Sequence, residues 1–111
     1  MWSIYRELSS GSRGIASYFE ELVQVFKTEC PRTIKELRRA VSTHDIMNLE
    51  RHAHALKGSS ANLGASSVSQ AAFDLEKMAR STDIGGADEL LKMLEREVDH
   101  LFCELQAFSA K

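Results

Sequence analysis

Apolar residues recur every three or four positions along most of this chain, the spacing that places them on one face of an α-helix. The first such stripe covers residues 18–30, and a second segment continues it after Pro31 to about residue 41. Because a proline can either kink a long helix or begin a new one, the pattern leaves both arrangements open. With one proline in the whole chain, the periodicity predicts an all-α protein.

The ends of two helices are marked by residues that cap or terminate helices. Asp45 follows a polar break and is a candidate N-cap for a helix that runs to about Leu63. Gly64 can adopt the left-handed conformation that commonly ends a helix. Ser67 and Gln70 form the pattern of a capping box, so we expect a tight turn and then a new helix.

Two further apolar stripes complete the predicted core. They consist of Val68, Ala72, Leu75 and Ala79 after the turn, and of Leu90, Leu94, Val98, Leu101, Leu105 and Phe108 in a last helix from about Ala87. Because a tight turn makes consecutive helices antiparallel, we expect an up-down antiparallel four-helix bundle over residues 15–111. Residues 1–14 are expected to form an additional short N-terminal helix, or a tail, followed by a linker.

Composition narrows the class of protein. A chain of 111 residues with 43% hydrophobic and 27% charged residues is typical of one globular domain. Its 14 basic and 16 acidic residues give a formal charge of -2, which does not favour nucleic-acid binding. Since no apolar run approaches a membrane span and no signal-peptide pattern is present, we expect a cytoplasmic protein. We also expect the protein to be monomeric.

The spacing of cysteine and histidine residues argues against a metal site. Cys30 and Cys103 lie in separate helical stripes, where we expect buried free thiols rather than a disulfide. His52 and His54 form a His-x-His pair, but positions i and i+2 of a helix point about 200° apart and cannot share an ion. We therefore expect no bound metal, and we place His52 near the edge of the buried face.

The helix that contains His54 has two contrasting faces. One face carries a ridge of leucines spaced by seven, namely Leu49, Leu56 and Leu63. The other, at about 100° per residue, carries His54, Lys57, Gly58, Ala61 and Ala65. Imidazole can act as a nucleophile through one ring nitrogen. The sequence therefore predicts an accessible imidazole on a surface of very small side chains.

Gly58 distinguishes this surface from an ordinary exposed helix face. A lone exposed histidine most often has no special role, and Lys57 by itself would be a solvated charge. A glycine inside a helix, however, costs about 1 kcal/mol relative to alanine, and no turn or cap requires one here. We infer that another molecule approaches this surface closely, with Lys57 as a candidate phosphate partner of His54.

One flank of the following helix is expected to carry Phe73, Glu76 and Arg80, away from the apolar stripe. Glu76 and Arg80 could form a surface i,i+4 ion pair worth only about 0.3–0.5 kcal/mol. If the flank instead lies beside His54, Arg80 could contact phosphate and Glu76 could hold the imidazole through its other nitrogen. Phe73 is either a docking residue or a half-buried packing residue.

These motifs resemble a known family. The run AHALKGSS at residues 53–60, followed by LGA at 63–65, is similar to the signature of histidine-containing phosphotransfer (HPt) domains. Further similarity is carried by Leu75 and Glu76, by Ala79 and Arg80, and by the spacing of Pro31, Ile34, Leu37 and Asp45. The resemblance covers roughly residues 18–108.

The resemblance implies a phosphorelay intermediate. His54 would accept a phosphoryl group from the aspartyl phosphate of a response-regulator receiver domain and pass it to another receiver. The residues implied to bind phosphate or the partner are Lys57, Gly58, Ala61, Arg80, Glu76 and Phe73. The receiver would bring Mg²⁺, no cofactor would be held here, and a chain without a glycine-rich nucleotide loop would not phosphorylate itself.

Two alternatives remain open. One is a non-catalytic helical interaction module in which His54 has no chemical role. The other is the dimerisation and phosphoacceptor part of a histidine kinase. The residues after His54 are Ala, Leu, Lys and Gly, rather than the acidic residue and downstream proline of such kinases, which disfavours the second alternative.

Overall fold

The computed structural model describes residues 13–109, with the side chains of residues 18–106, and within them it contains four α-helices and no strand. The helices are α1 (Arg13–Thr43), α2 (Ile46–Asn62), α3 (Ser66–Arg80) and α4 (Ala87–Ser109). Each helix packs against the next along the chain, and α4 also packs against α1, so the four surround one core. The all-α prediction is confirmed. The element predicted in residues 1–14 lies outside the described residues, except for its last two, which belong to α1.

The first helix runs without interruption through Pro31. Its buried residues lie on one face and are Phe19, Val23, Phe26, Cys30, Leu37 and Ala40. Pro31 itself is exposed, so its ring meets solvent rather than the core. A proline inside a helix removes one backbone hydrogen bond. Of the two arrangements that the sequence left open, the structure has the single long helix.

The core contains the predicted leucine ridge of α2 and the predicted stripe of α3. Leu49, Leu56 and Leu63 are at most 3% exposed, and the four stripe residues of α3 are at most 1% exposed. On α4 the buried series is Ala87, Leu91, Leu94, Val98, Leu101 and Leu105. Leu91 therefore takes the core position predicted for Leu90, which is only partly buried, because spacings of four and three counted from Ala87 lead to Leu91. The side chain of Phe108 lies outside the described residues.

The two cysteines have different environments. Cys30 is a buried free thiol, as expected, and its burial raises the pKa of the thiol to about 12. Cys103 is also free but exposed, so the expectation that it is buried is wrong. It lies two positions from both Leu101 and Leu105, and a two-residue step on a helix turns the side chain about 200° away from the buried face.

The connections around α2 fix where that helix begins and ends. Asp45 is the N-cap, as predicted, and its carboxylate accepts a hydrogen bond from the backbone N–H of Asn48 at 3.3 Å. Gly64 has a φ of 74°, the left-handed conformation that was expected there. The predicted capping box is wrong, however, because the N-cap of α3 is Ala65 and the helix begins before Ser67.

The connection between α2 and α3 thus consists of three residues, Leu63, Gly64 and Ala65. The N–H of Ala65 also donates to the carbonyl oxygen of Ser60 at 2.9 Å, which joins the start of α3 to the last turn of α2. Among residues 13–109, no helix is long and apolar enough to cross a membrane.

Candidate functional site

His54 lies in the middle of α2 on the face opposite the leucine ridge, and its side chain is 64% exposed. Because the ridge is buried in the core, this opposite face is turned outward. Gly58 and Ala61 are exposed on the same surface, as the sequence predicted. Ala65 is not part of it, because the chain has left α2 by that point and Ala65 is 2% exposed beneath the turn.

The surface beside Gly58 is open. A Cβ atom built at this position would meet nothing within 4 Å, apart from the helix's own backbone and its chain neighbours. No side chain from another helix therefore packs against Gly58 and requires it to be small. Packing within the bundle therefore does not explain the glycine inside α2.

Glu76 on α3 lies against the imidazole of His54. Its Oε2 is 2.7 Å from Nδ1 of His54. When the ring is neutral with its proton on Nδ1, that N–H donates to the carboxylate and the lone pair of Nε2 remains available. The contact thus orients the ring and selects the nitrogen that can react.

Glu76 is completely buried, although the sequence placed it on a flank away from the apolar stripe. The flank is covered because α2 and α3 are the most closely packed pair of helices, and side chains of α2 lie over it. A buried carboxylate is stable only beside groups that balance its charge or donate hydrogen bonds to it. The structure supplies three such groups.

Those groups are His54, Lys57 and Arg80, which together with Glu76 we call the Glu76 cluster. Nζ of Lys57 is 2.9 Å from Oε1, and Nη2 of Arg80 is 2.8 Å from Oε2, the oxygen that also contacts His54. The i,i+4 ion pair and the contact with His54 therefore both exist. Burial alone would raise the pKa of Glu76, but nearby Lys57, the hydrogen bond with His54 and the charge of Arg80 outweigh it and lower that pKa.

Lys57 is directed inward rather than into solvent, and its side chain is 29% exposed. Its Nζ lies 4.9 Å from the ring centroid of Phe73, and Nζ of Lys77 lies 4.8 Å from the same centroid. Phe73 is half-buried, so its ring contributes a favourable cation–π contact to each ammonium group. The hydroxyl of Ser69 donates to the backbone carbonyl of Lys57 at 3.2 Å, which fixes α3 against α2 beside the cluster.

A family comparison decides what kind of domain this is. The family model described as Hpt domain matches residues 21–104, which is well over half of the chain. The chain belongs to the Hpt family. Members of this family transfer phosphoryl groups through a histidine in phosphorelays and interact with receiver domains. No curated protein and no solved structure matches the chain.

One polar residue of the Hpt domain that contacts the Glu76 cluster was not identified from the sequence. Glu50 on α2 places its Oε2 2.7 Å from Nε of Arg80. Because Glu50 lies four residues before His54 on the same face of the helix, the sequence could have predicted that it lies near the site. Ser60 is fully buried and donates to the carbonyl oxygen of Leu56 at 2.6 Å, which satisfies its hydroxyl inside the bundle.

The remaining histidines lie apart from the cluster. His52 is half-buried, which agrees with its predicted place near the edge of the buried face, whereas His44 and His100 are exposed. Over residues 13–109, no group of three or more His, Cys, Asp or Glu side chains is arranged to hold a metal ion.

Proposed function

We propose that His54 of this Hpt domain accepts a phosphoryl group from the aspartyl phosphate of a receiver domain and passes it to an aspartate of another receiver. The observation that carries this proposal is the exposed imidazole of His54, held at Nδ1 by the buried carboxylate of Glu76 at 2.7 Å. An imidazole fixed in this way has one free nitrogen, Nε2, and one orientation.

The proposed step is an in-line displacement at phosphorus. The lone pair of Nε2 forms the N–P bond while the P–O bond to the aspartate breaks, and the aspartate leaves as a carboxylate. The proton on Nδ1 stays in place, so the ring becomes cationic and the negative charge of Glu76 stabilises it. The reverse sequence returns the phosphoryl group to a second receiver.

Lys57 and Arg80 are proposed to offset the charge of the phosphoryl group. Both already lie within 3 Å of the Glu76 carboxylate that contacts His54. Phosphoryl transfer depends mainly on positioning and on charge stabilisation, so two cations beside the acceptor suit the step. We propose that the receiver supplies the Mg²⁺ and that this chain provides no metal or cofactor of its own.

The exposed surface around Gly58 and Ala61 is the proposed docking site for receivers. The reacting atoms must approach within roughly 3–3.5 Å, which small side chains one or two turns from His54 permit. Phe73, at the side of this surface, is proposed as a further partner contact. Since all four residues of the Glu76 cluster come from one chain, we propose that the domain acts as a monomer.

We also propose that the helices run up and down, each antiparallel to the next. The short three-residue connection around Gly64 supports this arrangement for α2 and α3. The packing of each helix against its chain neighbour, and of α1 against α4, supports it for the whole bundle.

Transfer from a labelled receiver tests the proposed function. Purified receiver carrying ³²P on its aspartate should label the wild-type chain, and His54→Gln should abolish labelling while circular dichroism shows the same helix content. His52→Gln is the matched control and should be labelled normally. Label retained by His54→Gln would assign the phosphate to another residue, and receiver binding without any labelling of the wild type would favour the interaction module.

A further inference from the structure

A second carboxylate, that of Glu50, lies beside the phosphoacceptor face. Arg80 connects it to the Glu76 cluster, since Nε of Arg80 is 2.7 Å from Oε2 of Glu50 and Nη2 is 2.8 Å from Oε2 of Glu76. One guanidinium therefore joins two carboxylates that come from α2 and α3. Unlike Glu76, the other two groups reach solvent, with 39% of the Glu50 side chain and 54% of the Arg80 side chain exposed.

Glu50, Arg80 and His54 also share one surface groove. Its lining consists of Met47, Glu50, Arg51, His54, Glu76 and Arg80. Glu50 precedes His54 by one helical turn, which places their side chains next to each other. A phosphoryl group attached to the exposed imidazole would thus stand in the same groove as the carboxylate of Glu50.

The charges in this groove are balanced before phosphorylation. The groove is lined by the two carboxylates of Glu50 and Glu76 and by the two guanidinium groups of Arg51 and Arg80. A phosphoryl group carries about two negative charges at neutral pH and presents three acceptor oxygens, which suit the planar fork of a guanidinium. A phosphoryl group on His54 would be a third anionic group near Arg80, whose Nε already contacts Glu50 and whose Nη2 already contacts Glu76.

We propose that Glu50 competes with the phosphoryl group on His54 for Arg80, and thereby limits how firmly the domain retains that group. The inference rests on the proposed phosphorylation of His54. While His54 is unphosphorylated, Arg80 forms an ion pair with Glu50. When the phosphoryl group arrives, Arg80 exchanges Glu50 for a phosphate oxygen. Because the carboxylate of Glu50 attracts Arg80, it weakens the contact between Arg80 and the phosphoryl group. It thereby favours transfer of the phosphoryl group to a receiver.

The test is the equilibrium between phosphohistidine and receiver aspartyl phosphate. Glu50→Gln keeps the size of the side chain and removes its charge. We expect the ratio of phosphohistidine to aspartyl phosphate to rise by roughly three- to tenfold, the scale of one unit charge acting near a solvated surface. The melting temperature should change little, because the Glu50–Arg80 pair is largely exposed.

Two controls separate competition from simpler explanations. Asp88→Asn makes the same change in net charge within an exposed i,i+4 pair with Lys92 on α4, and should leave the ratio unchanged. In an Arg80→Gln background, Glu50→Gln should lose most of its effect, because the arginine for which it competes is absent.

Three results would overturn the inference. A lower phosphohistidine ratio in Glu50→Gln would mean that Glu50 positions Arg80 for the phosphate. An undiminished effect in the Arg80→Gln background would mean that Glu50 acts through its field alone. If the wild-type chain is not labelled at His54 at all, the proposed function has failed, and this inference fails with it.

Discussion

Leu75 and Glu76 are consecutive residues of α3, and neither exposes any of its surface. Leu75 belongs to the apolar core, whereas the carboxylate of Glu76 is surrounded by His54, Lys57 and Arg80. The apolar core is stabilised by surface removed from water, without regard to charge. The Glu76 cluster is stable only because particular cations stand beside a particular carboxylate. The core therefore determines the fold, and the cluster determines the chemistry of one surface.

Truncation in the apolar core should have the largest effect on stability. Leu75→Ala removes a fully buried side chain, and we expect it to lower the free energy of unfolding by about 2–5 kcal/mol, measured by urea denaturation. Met47→Ala is the control, because Met47 is 82% exposed and its truncation leaves no cavity. Similar losses in both variants would contradict the assignment of Leu75 to the core.

Removal of a cation from the Glu76 cluster should cost less. Lys57→Met leaves Oε1 of Glu76 buried without its ion-pair partner, and we expect a loss of about 1–3 kcal/mol in the free energy of unfolding. The loss is smaller than for Leu75→Ala because His54 and Arg80 still contact Oε2. In a double-mutant cycle, Glu76→Gln should cancel part of the cost of Lys57→Met. Costs that simply add would show that the two residues do not interact.

Low pH should reduce the stabilisation that comes from the Glu76 cluster but not the stabilisation that comes from the apolar core. The folded-state pKa of Glu76 is lowered from its ordinary value of 4.5, so the unfolded chain binds this proton first as the pH falls. The stabilisation is fully present above that ordinary value and is lost as the pH drops through the folded pKa. Glu76→Gln should therefore show a shallower fall in melting temperature below about pH 4.5 than wild type.

The apolar core provides the control for this pH dependence. Leu75→Ala should be less stable at every pH but should show the same acid dependence as wild type, because it removes no titratable group. Identical acid slopes for Glu76→Gln and wild type would mean that the carboxylate of Glu76 has the same pKa in the folded and unfolded chain.

The smallest expected effect lies at Gly58, which belongs to neither region. Gly58→Ala should raise the free energy of unfolding by about 0.5–1 kcal/mol through helix propensity and a less flexible unfolded chain, since its Cβ meets open space. Gly64→Ala is the contrasting variant and should be destabilised by about 1 kcal/mol, because Gly64 has a φ of 74°. Thermal melts of both variants check the signs. A destabilised Gly58→Ala would mean that the glycine serves packing within the bundle.

A longer side chain at Gly58 tests the docking surface. Gly58→Gln should fold normally yet bind receivers and accept phosphate less well, because it projects into the approach to His54. Undiminished transfer by this variant would place the receiver on another face of the bundle.

Periodicity and turn residues predicted the parts of the structure that local sequence controls. The burial of the leucine ridge, the outward face of His54 and the left-handed Gly64 each follow from spacing within one helix or from one residue's conformational freedom. Leu91 was missed because Leu90 and Leu91 are adjacent leucines, and a shift of one residue rotates the predicted stripe by about 100°.

The burial of Glu76 was beyond the reach of local patterns. A glutamate four residues before an arginine is typical of a solvated ion pair, and only the close packing of α2 on α3 covers it. The inward direction of Lys57 follows from the same burial, because the buried carboxylate attracts the ammonium group away from solvent. Glu50 was within reach, since its place one turn before His54 could be read directly from the sequence.

The unequal environments of the two thiols make the native chain ready for site-specific labelling. Cys30 is 2% exposed, and its pKa of about 12 keeps it protonated, so maleimide and iodoacetamide reagents should leave it unmodified. Cys103 is exposed on α4, a helix that makes no close contact with α2 within residues 13–109. A fluorophore attached to Cys103 could follow receiver binding by anisotropy without replacement of a single residue.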